Sequence, residues 1–433
     1  MEPFQMALLM VGGLVLLLAL GLPIAFALLA VGLTSILLTQ GWNAADYLVG
    51  NFPYASSSDF ALIIIPMFLF MGEMAYVAGM SSRAFVLARA WMGHLPGGLP
   101  IAAVASCAGF SAICGSSIVT AATIGRISIP EMLKAGYSQR LAGGAVAAAG
   151  ALGVLIPPSG ILVIYSIATQ VPILQLFACA IVPGILTAFV YAVGIYFWVK
   201  VDPSEGRESR QERASWGERI RSLSYGWEIL VLFGLVMGSM LTGIATPTEA
   251  SALGAATALA VTLYRRVPFS GIRQGLLRSG TATSSVFILI IASGLFSLGF
   301  ATTQAPQMLA SFVRGLDLNP VLVLIILLIP YLFLGMFLDA ISMILLTMPL
   351  VFPVVLQNDI NPILFGILVT KMAEISNITP PVGLNVFVLS KMGEGLTVGE
   401  LFKGSFFFVI LEIIIIGLFI AFPGIVLFPV MGG

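Results

Sequence analysis

Two pairs of short stretches gather small and polar residues in an otherwise apolar chain. "GFSAICGS" begins at Gly109, and "PPSG" follows at Pro157, 48 residues on. "GMFLDAIS" begins at Gly335, and "PPVG" follows at Pro380, 45 residues on. A serine, Ser116 or Ser342, stands seven residues after each leading glycine. Glycine lets a helix stop and turn without a Cβ clash. Proline removes a backbone donor and breaks its helix, leaving carbonyl oxygens unpaired. Such carbonyls, with Ser and Thr hydroxyls, are ligands for a small hard cation such as Na⁺. Helix N-termini at the same breaks favour a carboxylate.

The pattern sets out two cation sites. Gly115, Ser116 and Ser117 with Pro157, Pro158 and Ser159 form the first. Asp339 and Ser342 with Thr379 and Pro380 form the second. Asn385, Ser111 and Pro158 are the candidate substrate contacts. Ser and Thr in membrane helices also bond back to their own helix or to a neighbour, so each hydroxyl alone carries little. The matching of two pairs is what points to a site. Charges inside apolar segments are costly and usually functional. Lys371 and Glu374 are three residues apart on one helix face, which favours a structural pair over a counter-ion for an anion. Glu73 and Glu249 are expected to make interhelix hydrogen bonds.

These residues need elements to hold them, and composition says which kind. The chain has 433 residues, 59% hydrophobic and 9% charged, against about 25% charged in a soluble protein. Apolar stretches at 6–20, 60–79, 172–199, 227–247, 282–301 and 404–428 are each long enough, or nearly so, for an oil layer about 30 Å thick. The expected class is an all-α polytopic membrane protein. "MEPFQ" lacks the basic start of a signal peptide. Net charge is zero, which gives nucleic acid no electrostatic footprint. No P-loop, GxGxxG or transition-metal motif occurs. Cys107, Cys114 and Cys179 read as buried thiols. An embedded enzyme would need a reactive His, Cys or acidic pair facing a cavity. His94 in a loop and an isolated Asp339 are a poor set, so no catalysis and no cofactor beyond a coupling ion is expected.

Cytoplasmic loops collect Lys and Arg. Segments 80–98, 125–140, 200–227, 265–280 and 391–403 hold 17 of the 19 basic residues. Loops at 40–59, 170–172, 304–319 and 356–361 hold only Arg314. Placing the first group inside puts both termini outside. It also forces 100–124 to leave and return on the inner side, and 320–354 on the outer side. These two segments read as helical hairpins dipping part-way into the membrane, with two thin crossings each as the alternative. Irregular backbone at that depth survives only where protein or a wet cavity surrounds it.

The polar linker 200–226 then divides two halves, 1–199 and 227–433, of like order and opposite direction. Each has three crossings (within 6–79 and 227–303), a hairpin (100–124 and 320–354), a broken crossing (141–169 and 362–390) and a last crossing. That is an inverted-topology repeat of about five transmembrane helices plus one re-entrant hairpin per half, a pattern of secondary transporters. The linker's five acids and six bases suggest a short amphipathic surface helix. Two dead-end hairpins argue for alternating access over a passive channel.

Seven segments in order carry a family resemblance: "GLPIAFAL" (21–28), "IPMFLFMGEMAYVAGM" (65–80), "CAGFSAICGSSIVTAATIG" (107–125), "LGVLIPPSGILVIYS" (152–166), "TGIATPTEASALGA" (242–255), "GMFLDAISMILLTMPLVFPV" (335–354) and "ITPPVGLNVFV" (378–388). Along nearly its whole length the chain resembles the large membrane subunit of tripartite ATP-independent periplasmic (TRAP) transporters. The resemblance implies the ion-transporter superfamily fold and an elevator mechanism, in which a transport domain slides on a scaffold. It implies Na⁺-driven uptake of an organic acid across the bacterial inner membrane. It also implies two partners, a periplasmic substrate-binding protein and a small four-helix membrane subunit, the latter expected as a separate chain. The competing expectation is a Na⁺/carboxylate symporter of the same architecture that needs no binding protein. C4-dicarboxylates, sialic acid and other sugar or keto acids all remain open as cargo.

Overall fold

The computed structural model describes residues 3–206, 213–392 and 396–431. Part of the linker, 207–212, lies outside them. Among the described residues the chain is helical and contains no strand. Its first part runs through α1 (Pro3–Ala19), α2 (Ile24–Gln40), α3 (Trp42–Ser57), α4 (Ile64–Val77), α5 (Met80–Met92), α6 (Gly98–Cys114), α7 (Ser117–Lys134), α8 (Gln139–Ala151), α9 (Gly160–Thr169) and α10 (Ile173–Val201). α11 (Trp216–Leu223) follows in the linker region. The second part runs through α12 (Trp227–Leu241), α13 (Pro247–Tyr264), α14 (Phe269–Ala301), α15 (Ala305–Gly315), α16 (Pro320–Leu334), α17 (Ala340–Gln357), α18 (Pro362–Ser376), α19 (Leu384–Ser390), α20 (Val398–Ala421) and α21 (Gly424–Met431).

Helix starts follow side-chain capping. Ser116, Ser138, Ser159, Asp339 and Asn361 each accept a backbone N–H of the first turn of α7, α8, α9, α17 and α18. Stretches 40–59, 80–98 and 304–319, taken as loops from their polarity and charge, are largely the helices α3, α5 and α15. α7 continues through Arg126 to Lys134, and α14 starts thirteen residues before 282. Charge marks where a helix meets water, not where it ends. Arg and Lys are good helix formers, so basic stretches extend these helices.

Among the described residues, five helical spans are long and apolar enough to cross a membrane by themselves: 60–77, 173–201, 269–301, 340–357 and 398–421. The other apolar helices are shorter because Gly and Pro interrupt them. Within one continuous core, two bodies of closely packed helices can be traced. In one, α2 crosses α14 so closely that a Cβ on Gly32 would stand 2.8 Å from the Phe296 backbone. Thr262 on α13 donates to the Met74 carbonyl of α4 at 3.1 Å in the same body. In the other, α8 lies on α20 with Gly144 against Gly404, and Tyr165 on α9 donates to the Pro362 carbonyl at 2.7 Å. The bodies meet where Gly72 of α4 faces the Cys114 carbonyl of α6. Ser293 of α14, donating to Leu345 O at 2.6 Å, adds a second contact.

The linker region is tied to both bodies. Trp91 of α5 donates to Ser222 of α11 at 3.2 Å, and Arg83 donates to Ser224 O at 2.8 Å. Glu205 pairs with Arg140 at 3.1 Å beside the start of α8. The Glu228 carboxylate, fully buried, holds Arg83 at 3.3 Å and also pairs with Arg265, joining α5, α12 and α13.

Candidate functional site

Gly115 ends α6 with φ +59°, a left-handed conformation that glycine adopts freely. A Cβ there would stand 2.9 Å from the Pro158 carbonyl oxygen, so the α6–α7 tip lies directly against the break between α8 and α9. A Cβ on Gly153 would meet the Ser116 carbonyl group at 2.8 Å, which closes the contact from the other side. Pro157, Pro158 and Ser159 are all buried. Among the described residues, no hydrogen bond reaches the carbonyls of Pro157 and Pro158. The Ser116 hydroxyl accepts from Val119 N, and Ser159 donates to Val154 O. The first set of expected residues is therefore one assembly, but its hydroxyls also act as caps. Ser111 is fully buried, and its hydroxyl has no partner among the described residues.

The halves of the chain join at Ser117. Its hydroxyl donates to Asn385 Oδ1 at 3.0 Å and accepts from Asn377 Nδ2 at 3.3 Å. Asn385 Nδ2 donates to the Ala147 carbonyl at 2.9 Å, and Asn385 N to Asn377 O at 3.1 Å. Both ends of the buried Asn385 amide are thus committed to protein partners. Asn377 was not singled out from sequence. Its position between the helix-forming run and "TPP" was the available signal.

The second set is less closed. Asp339 caps α17, its Oδ2 accepting from the Ile341 and Ser342 amides at 3.2 Å each. Ser342 also donates to Asp339. Thr379 donates back to Ile375 O at 2.6 Å, and Pro380 is exposed. Gly335 lies against the Ser376 side chain, which brings the end of α16 to the end of α18. No hydrogen bond links Asp339 or Ser342 to Thr379 among the described residues. A cavity of about 30 Å³ lies among Cys114, Gly115, Pro158, Gly160, Val286 and Ile341. It thereby unites the first tip, the first break and the first turn of α17.

Lys371 and Glu374 pair as expected, but inside a larger buried cluster. The Lys371 ammonium also lies 2.6 Å from Glu412 of α20 and 3.0 Å from the Thr187 hydroxyl of α10. Tyr191 donates to Glu412. Glu412 was missed, although it is a charge within an apolar stretch and satisfied the same criterion as Lys371. Glu73 reaches across to Arg278 of α14 at 3.8 Å. Glu249 differs from expectation: among the described residues it makes no interhelix bond and completes a capping box, accepting from Thr246 N and its hydroxyl at 2.8 Å each. "TPTE" carries that signal in sequence. His94 sits 3.4 Å from Arg219 of α11. Burial and the charges of Arg219 and Arg213 push its imidazole pKa down.

A family model described as the DctM component of tripartite ATP-independent periplasmic transporters matches residues 11–425. The chain belongs to this family. The C4-dicarboxylate TRAP transporter large permease protein DctM of Pseudomonas aeruginosa is 37% identical over 356 residues, 81% of this chain and 82% of that protein. The sialic acid TRAP transporter large permease protein SiaM of Vibrio cholerae is 30% identical over 379 residues, 86% and 87% of the two. The crystal structure of the Alcanivorax borkumensis YdaH transporter superposes with a TM-score of 0.64 at 16% identity, covering 98% of this chain and 100% of that one, which shows a shared fold. A DctM-family large permease is a multi-pass inner-membrane component of substrate transport. It works with a small membrane subunit and a periplasmic binding protein.

Proposed function

We propose that this large permease couples inward Na⁺ flow to uptake of an organic acid delivered by a periplasmic binding protein. The observation that carries the reading is the packing of Gly115 against the unpaired Pro158 carbonyl, 2.9 Å from a Cβ placed there. Carbonyls that accept nothing, beside the Ser116 and Ser117 hydroxyls, are the chemistry of a Na⁺ site. Asp339, Ser342, Thr379 and Pro380 supply the second site, with Asp339 as its charged ligand. Ser111, buried without a partner, and the Pro158 carbonyl face the cargo. Asn385 clamps the two halves beside it.

The two halves form an inverted repeat in this reading. Each has a helix pair with a short tip (α6–α7 and α16–α17), then a helix broken at Pro-Pro (α8–α9 and α18–α19). The body holding both breaks moves as an elevator against the body built on α2, α4, α13 and α14. Both termini face the periplasm. One unit charge crossing 100 mV releases about 2.3 kcal/mol. Two or more cations per cycle therefore concentrate an anion by orders of magnitude without nucleotide. The cargo class is that named for the two relatives above, C4-dicarboxylates and sialic acid, both small carboxylic acids.

Reconstitution with the small subunit and the cognate binding protein tests this. Uptake of labelled acid should require an inward Na⁺ gradient and should vanish in Gly115→Leu while membrane insertion persists. Uptake at the same rate under K⁺ alone would overturn Na⁺ coupling. Equal uptake with no binding protein present would favour the self-sufficient symporter.

A further inference from the structure

A second, larger cavity lies along the same helices as the tip. Its volume is about 380 Å³, and Tyr76, Ser82, Thr123, Arg126, Gln274 and Arg278 line it. That size falls within the range of small-ligand pockets, roughly 300–1,000 Å³. Its two guanidinium groups come from different helices, Arg126 from α7 and Arg278 from α14. Arg278 is partly neutralised by Glu73 at 3.8 Å and lies 5.6 Å over the Tyr76 ring. Arg126 has no ion-pair partner among the described residues. Counting Arg126, Arg278 and Glu73, the cavity holds one positive charge in excess.

Three helices lead from this cavity to the small one at the tip. On α4 the lining residues are Leu69 at the tip and Tyr76 at the large cavity. On α14 they are Val286 and Arg278. On the chain of α7 they are Gly115 and Thr123. Seven or eight residues separate the members of each pair, about 10–12 Å where the chain is helical. Between the cavities Gly72 closes onto the Cys114 carbonyl. The arrangement is a sealed tip with a cationic chamber one helical stretch away, at the side where the basic residues gather.

We infer that this chamber is an anion-binding vestibule, which receives the carboxylate of the cargo after it leaves the tip. This rests on the transport reading for its direction but not for its ligand chemistry. Arg126 is the primary anion contact, and Arg278, held by Glu73 and Tyr76, is the second.

Thiol labelling tests it. Cys107, Cys114 and Cys179 are buried, so background is low. In purified protein, with each rate divided by that reagent's rate with a free thiol, Thr123→Cys should favour an anionic methanethiosulfonate (sulfonatoethyl) about tenfold over a cationic one (trimethylammonioethyl). Arg126→Gln should remove most of that preference, and Arg126→Lys should restore it. Succinate or N-acetylneuraminate should slow the anionic reagent more than chloride at equal ionic strength. If Thr123→Cys does not fold, Ser82→Cys reports on the same chamber. Equal normalised rates for both reagents, or protection no better than chloride gives, would reduce the arginines to ordinary membrane-surface charges and overturn the inference. The labelling needs neither sodium nor a binding protein. Lost Na⁺-driven uptake with retained anion preference would therefore sink only the transport reading, whereas intact uptake with carboxylate-insensitive labelling would sink only the vestibule.

Discussion

Ser117 donates its hydroxyl hydrogen to Asn385 Oδ1 at 3.0 Å, across 268 positions of chain. One bond thus ties the tip of the first helix pair to the break of the second. Asn385 has no spare hydrogen-bonding end, since its amide nitrogen is spent on Ala147 O. Asn385→Leu leaves the Ser117 hydroxyl proton without its acceptor in a buried place. That costs about 1–3 kcal/mol per orphaned group. The expected outcome is a lower melting temperature in detergent and at least tenfold slower substrate uptake. Ser117→Ala should be milder in stability because it removes a partner without adding bulk.

Two neighbouring glycines should respond oppositely. A methyl at Gly115 meets Pro158 O at 2.9 Å with the backbone at φ +59°, whereas a methyl at Gly160 finds its nearest neighbour, Gly115 O, at 3.9 Å. Gly115→Ala should therefore reduce uptake and thermal stability, and Gly160→Ala should leave both near those of the parent. Uptake and fluorescence-detected melting on the two variants check this. Equal effects would mean that the tip is not closed on the break.

The Lys371 cluster predicts a non-additive series. Lys371→Met strands Glu374 and Glu412 in the interior, where loss of one partner of a buried pair costs about 3–5 kcal/mol. Replacing all three, Lys371→Met with Glu374→Leu and Glu412→Leu, removes the stranded charges and should recover much of the melting temperature. Thermal melts of the single and triple variants decide it. A triple variant less stable than Lys371→Met would show that the cluster contributes more than charge balance.

The α11 attachment should depend on pH. His94 has a depressed pKa in the folded chain because of burial and the nearby Arg219 and Arg213 charges. The unfolded chain therefore binds the proton more readily. This contribution is fully present above the ordinary histidine value, about 6.5, and is lost as pH falls through the lower folded value. Exchange protection across 213–224 should be constant near pH 7.5 and fall on acidification. His94→Ala should remove that step.

Much of this was legible along the chain. Long apolar runs with few charges require a membrane solvent, and Gly and Pro at 109–117, 157–160, 335–339 and 380–383 mark the breaks. Capping and left-handed glycine are local properties, so Gly115, Ser116, Ser159 and Asp339 end or begin helices as their types demand. The linker's short helix and the Lys371–Glu374 pair were also readable, since both rest on neighbours within one turn. Charge misled at 80–98 and 304–319, where helices continue through polar surface.

Tertiary structure alone decided what meets what. The Ser117–Asn385–Asn377 network and the third member of the Lys371 cluster, Glu412, join residues tens or hundreds of positions apart. So does the facing of Arg126 and Arg278 across one cavity. Sequence periodicity reports which face of a helix is apolar, but it carries no record of which other helix that face will touch. That choice is made by close packing, where a missing Cβ at Gly32, Gly72 or Gly115 lets one backbone approach another.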